Sequence, residues 1–93
     1  MVPDRPTLKD VSAAIAEPIK LLGYCRDAAG THGVRGSVLI DSRPTALKTM
    51  SERQRLNIAL SRCKAAQRSL ETLEATLIAR MGAVRDREGA RAA

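Results

Sequence analysis

The residue types that carry most protein chemistry are scarce in this 93-residue chain, which holds one histidine, two cysteines and one tyrosine. His32 is the sole histidine candidate for a general base, and it shares one glycine-rich segment with Ser37 and Asp41. A nucleophile, a base and an orienting carboxylate need a rigid frame, and GTHGVRGSVLIDS, residues 30–42, supplies none. Cys25 and Cys63 stand far apart in sequence. Two thiols make neither a disulfide framework nor a four-ligand zinc set, so they read as buried and reduced. The run from Gly30 to Ser37 lacks the Gly-Lys-Ser/Thr ending of a Walker loop. Gly33-Val34-Arg35-Gly36 has the GxxG form of RNA-clamping loops, without length for the accompanying sheet. The expectation is a non-enzymatic protein with no cofactor, no metal and no small-molecule substrate.

The basic residues say more. Arg43, Lys48, Arg53, Arg55, Arg62, Lys64 and Arg68 face a single acid, Glu52, within residues 43–68, and this stretch carries the whole formal charge of +6. Elsewhere acids and bases balance. Placed at about 100° per residue, Lys48, Arg55 and Arg62 fall on one flank of an apolar stripe, and Arg53, Lys64 and Arg68 on the other. Long basic stems often lie over apolar surface, but locally uncompensated charge on a rod also attracts polyanions. With one tyrosine, stacking on single strands is not on offer. Contacts to nucleic acid would therefore go to phosphate. An acidic protein surface is the competing partner, and the positive excess argues against DNA mimicry.

These side chains must be positioned by helices. Without Phe or Trp and rich in alanine, the chain suits close helix packing better than a sandwich or barrel. Thr7-Leu8-Lys9-Asp10 is a capping signal. Leu8, Val11, Ile15, Ile19, Leu22 and Cys25 then recur at helical spacing, with a kink or restart expected at Pro18 and a C-cap at Gly30. Val38-Leu39-Ile40 fits a short strand or a loop plug. Ser42-Arg43-Pro44 reads as a helix start, and Ser51-Glu52-Arg53-Gln54 as a second capping box. From about Ser51 to Asp86 runs one long helix. Leu56, Cys63, Leu70, Leu77 and Val84 repeat every seven residues, joined by Leu60, Leu73 and Met81, with Ala59 and Ala66 alongside. That period predicts coiled-coil-like packing, and this set is the expected core or dimer seam.

The fold class is thus all-α: a kinked N-terminal amphipathic helix and one long heptad-patterned helix, a hairpin or bundle completed by dimerisation. Residues 1–6 are expected to be a disordered lead-in, 7–86 a single helical domain with a loop at 30–42, and 87–93 a frayed tail. The first helix, at roughly 35 Å, cannot cover a stripe of about 50 Å, and exposed apolar patches mark interaction sites, so a homodimer follows. No apolar run reaches the ~18 residues of a membrane span and no secretory signal is visible, so the expected location is cytoplasmic. The expected function is a small helical binding protein whose basic surface holds nucleic acid or a nucleoprotein complex. The alternatives are a protein-binding regulator or inhibitor of phage or mobile-element type, such as an anti-CRISPR or antiactivator, and a structural component of a phage or secretion assembly.

Overall fold

The computed structural model describes residues 4–92; residues 1–3 of the expected lead-in and residue 93 of the expected tail lie outside it. Two helices dominate. Helix α1 spans Leu8–Ala29 and α2 spans Glu52–Ala92, and they pack against each other in antiparallel fashion. Between them lie strands β1 (Ser37–Ile40) and β2 (Arg43–Ala46) and a 3-10 turn at Leu47–Thr49.

Both helix starts follow the sequence. Thr7 Oγ1 accepts from the Asp10 amide at 3.2 Å while the Asp10 carboxylate accepts from the Thr7 amide at 2.8 Å, which satisfies two otherwise unpaired donors. The Thr7 amide and then its hydroxyl, both donating to the Asp10 carboxylate, hold that carboxyl below its ordinary value. Ser51 and Gln54 repeat the reciprocal arrangement at α2, at 2.9 and 3.2 Å. At the other end of α1, Gly30 adopts φ 73° and its amide donates to the Arg26 carbonyl. A left-handed residue there favours glycine, and a Cβ at Gly30 would also collide with the Arg55 guanidinium. Pro18 does not restart α1: the helix continues through it, and the ring is buried against α2. Helix α2 continues through the expected tail to Ala92.

The connection departs from the helix start expected at Ser42-Arg43-Pro44. Arg43–Ala46 is a strand, paired antiparallel with Ser37–Ile40, so part of the expected loop 30–42 is a hairpin arm. Asp41 and Ser42 form the turn with φ values of 52° and 65°, the two positive values of a type I′ turn, whose twist matches a hairpin. Pro44 pairs with Leu39, one step out from the closing pair Ile40–Arg43. In a two-residue hairpin that second pair is the non-hydrogen-bonded one, so the missing proline amide costs the ladder nothing. Proline fits the first turn of a helix and an edge strand equally well. Local sequence therefore does not separate the two. The Leu47 amide donates to the Gly36 carbonyl at 3.0 Å, and Leu47 is buried beneath the hairpin base.

The seam between the helices is built from small side chains. On α1 it runs through Val11, Ala14, Pro18, Leu21, Cys25 and Ala28, and on α2 through Ala59, Ala66, Ser69, Leu73 and Thr76, all buried or half-buried. Small residues let helix axes approach closely. Thr76 is accommodated because its hydroxyl donates to the Thr72 carbonyl at 2.8 Å. Two arginines of α2 clasp the ends of α1. Arg55 Nη1 donates to the carbonyls of Ala28 and Ala29 at 3.3 and 3.1 Å, where the helix dipole favours a cation. Arg80 Nη1 donates to the carbonyl of buried Pro6 at 3.2 Å.

Candidate partner-binding surfaces

The leucine set expected to form the core seam is not the seam within one chain. Leu56, Leu60, Leu70, Leu77 and Met81 are exposed, Leu70 at 48 % and Met81 at 60 %; Cys63 and Val84 are half-buried, and Leu73 alone belongs to the α1 contact. The reason is that α2 carries two adjacent seven-residue stripes, one of small residues and one of leucines. A single neighbouring helix covers only one. Helix α1 has the same construction: Leu8, Ile15, Ile19 and Leu22 are exposed, beside the Val11–Ala28 contact row.

The two exposed stripes share one side of the helix pair. At about 100° per residue each lies roughly 75–130° round its helix from the contact row, in the same rotational sense. For antiparallel helices, equal rotation from the shared contact turns both stripes to the same side. The opposite side is marked by a groove lined by Ala14, Glu17, Leu21, Ala65, Arg68 and Thr72. The β-hairpin also sits on that opposite side, where Val38, Leu39 and Leu47 enclose a cavity of about 270 Å³ with Tyr24, Ile58 and Arg62. The hairpin thus leaves the leucine face open.

The seven candidate basic residues divide. Arg43, Lys48, Arg53, Lys64 and Arg68 are exposed; Arg55 and Arg62 are half-buried. Arg55 is committed to the end of α1 and Arg62 lines the cavity under the hairpin. Among the described residues the ion pair within 4.0 Å is Arg26–Asp27, so none of the five exposed cations has a carboxylate at that range. Both cysteines are free and half-buried.

The remaining chemistry is dispersed. Ser37 opens β1 and Asp41 lies past its far end, about 13 Å away at ~3.3 Å per residue, so the His32, Ser37 and Asp41 set is not assembled. Among the described residues no cluster of three or more His, Cys, Asp or Glu is placed to hold a metal, and no helix is long and apolar enough to cross a membrane. No family model matches the chain, and neither does any curated protein or solved structure compared with it.

The sequence pattern alone merged two rows of α1. Leu8, Ile15 and Leu22 repeat every seven residues, and so do Val11, Pro18 and Cys25. The signal that separates them was present in that spacing. The row with proline, alanine and cysteine is the one that tolerates close approach.

Proposed function

We propose that this chain is a non-enzymatic helical binding protein, working as a homodimer, that holds nucleic acid or a nucleoprotein complex through Arg43, Lys48, Arg53, Lys64 and Arg68. The observation that carries the binding reading is the absence of carboxylate partners for these five exposed cations among the described residues. Unpaired charge at this density favours an anionic ligand, bound through phosphates with release of counterions. Arg55 drops out of the contact set because its guanidinium bonds the end of α1, and half-buried Arg62 because it lines the cavity under the hairpin.

The homodimer rests on surface area. The chain exposes 7191 Å², whereas a folded monomer of 10.0 kDa should expose about 5200 Å². Leucine, isoleucine and methionine side chains on one side contribute to that exposed surface.

Salt titration tests the nucleic-acid reading. Contact with about four to six phosphates per dimer gives a slope of log K against log salt near −4 to −5, at roughly −0.9 per phosphate. Changing Arg53, Lys64 and Arg68 together to Gln should flatten that slope and weaken binding equally on unrelated sequences, with helicity intact. Absence of binding tighter than about 100 µM at low salt would reject it, since ordinary non-specific binders reach that level. The exposed leucine face favours a second reading, a regulator that docks a partner's apolar helix, and that reading would then lead.

A further inference from the structure

We infer that two copies meet across the leucine face with α2 antiparallel to its counterpart, on a two-fold axis crossing the layer of Ile15 and Leu70. The inference rests on the homodimer reading above and adds its geometry.

The face is self-complementary under reversal. Counting from Leu70, Leu56 and Val84 stand fourteen residues away on either side, and Cys63 and Leu77 seven. Leu60 and Met81 stand ten and eleven away. An antiparallel two-fold pairing about Leu70 sets each of these apolar residues opposite another, as an isologous interface requires. The polar positions follow the same rule. Gln67 meets Glu74 of the second copy, and Arg53 shares a rim with its Glu88 without contact being required, seventeen and eighteen residues from the axis.

Helix α1 supplies an independent check. Arg55 reaches Ala28 and Ala29 while Arg80 reaches Pro6, so the residue numbers of facing positions sum to about 85 midway along the pair. Leu70 therefore shares its layer with Ile15. The same axis sets Ile15 on Ile15 of the second copy and Leu8 on its Leu22, which completes the apolar layers of a four-helix bundle.

Area and charge favour this occupant and this direction. Leu56 to Val84 spans about 42 Å at 1.5 Å per residue, and two helices side by side are about 20 Å wide. A face near 800 Å² per copy is the size of a standard stable interface. An axis parallel to the helices would lay α2 on α1 of the second copy and send the two Arg53 rims to opposite edges of the bundle. The antiparallel arrangement stacks α2 on α2 and sets opposite charges along one rim. It also lays the end of α2 beyond Arg80, which α1 does not reach, over the hairpin end of the second copy.

Thiol cross-linking of the full chain reads the geometry. In a Cys25→Ser background, Leu77→Cys should give covalent dimers of doubled mass under mild oxidation, because Cys63 of one copy faces the introduced thiol of the other. Cys25→Ser alone should remain unlinked. With Cys63→Ser added, Leu70→Cys should link to its own copy on the axis, a second variant should Leu77→Cys not fold. Light scattering separates two failures. A monomer at every concentration overturns the dimer and this geometry with it. A dimer in which Cys63 links to Cys63, or in which neither variant cross-links, overturns the geometry alone.

Discussion

Two stripes run side by side along α2, seven residues per repeat in each, yet one is inside the chain and the other is not. The inner stripe is Ala59, Ala66 and Leu73, with Thr76 beside them; the outer is Leu56, Cys63, Leu70 and Leu77. A burial argument applied residue by residue would choose the leucines, since each full side chain removed from water contributes about 1.5–3 kcal/mol. The chain instead uses its small residues to bring α1 close and keeps its large ones for an outer face. In the described residues Leu47 is the one leucine or isoleucine that is fully buried. A lone hairpin of this kind has little core with which to offset chain entropy. The difference between the stripes is a division of labour, with small residues setting helix distance and large ones available for association.

The largest expected effect lies on the outer stripe. Leu70→Ala should cost about 2–5 kcal/mol if a second copy buries it, as a large-to-small change in a packed site. Chemical denaturation at several protein concentrations would show both the loss and a midpoint that rises with concentration. A loss under about half a kcal/mol, the range of ordinary surface changes, would mean that Leu70 stays as exposed as it is in the single chain.

The inner stripe is sensitive to the opposite change in size. Ala66 is 2 % exposed between the helices, and Ala66→Leu would force them apart at a cost of about 1–3 kcal/mol. The same change on an uncrowded surface helix is near neutral by propensity. Equal unfolding midpoints for Ala66→Leu and the unaltered chain would show that the small residues do not set the distance.

These contrasts mark what was legible from the residues alone. Both capping boxes and the Gly30 cap were readable because they are local, each needing only three or four neighbours. The seven-residue period is readable too, and it places Leu56, Leu70 and Leu77 along one side of a helix. What covers that side is a tertiary fact, and periodicity is silent on it. Alanine, serine and threonine register weakly on any apolar pattern, so the row through Ala59, Ala66 and Ser69 does not stand apart from the leucines beside it. Among the basic residues, charge and helical phase placed Lys48, Arg53, Arg55, Arg62, Lys64 and Arg68 on the flanks of the stripe, whereas Lys48 lies in the 3-10 turn before α2. Only the path of α1 shows that Arg55 spends its guanidinium on the carbonyls of Ala28 and Ala29.

That arginine supplies the next test. Arg55→Met keeps the aliphatic stem and removes the two donors to the end of α1, with an expected loss of about 1.5 kcal/mol for hydrogen bonds from a charged group. Exchange of the backbone amides near Gly30 should accelerate while those near Thr7 do not. Binding to nucleic acid, if it occurs, should fall far less than after the change of Arg53, Lys64 and Arg68. An equal fall would return Arg55 to the contact surface.

The smallest effect belongs to the other end of the same helix, where the cap is local. Asp10 is held below its ordinary carboxyl value by the Thr7 amide and hydroxyl. A carboxyl depressed in the folded state contributes stability that is present above its unfolded value and is lost as pH falls through the folded value. Asp10→Asn should therefore be slightly less stable than the unaltered chain at neutral pH. Below about pH 4, where an unperturbed aspartate begins to protonate, the gap should narrow, and it should close once the folded carboxyl has taken up its proton. The cap that Arg55 provides involves no carboxyl, so it should hold while the Thr7–Asp10 cap weakens. Amide exchange at Leu8 to Val11 and at Ala28 to Gly30, followed from pH 6 downward, separates the two ends. Parallel loosening at both would place the acid response in the whole helix pair rather than in the Thr7–Asp10 box.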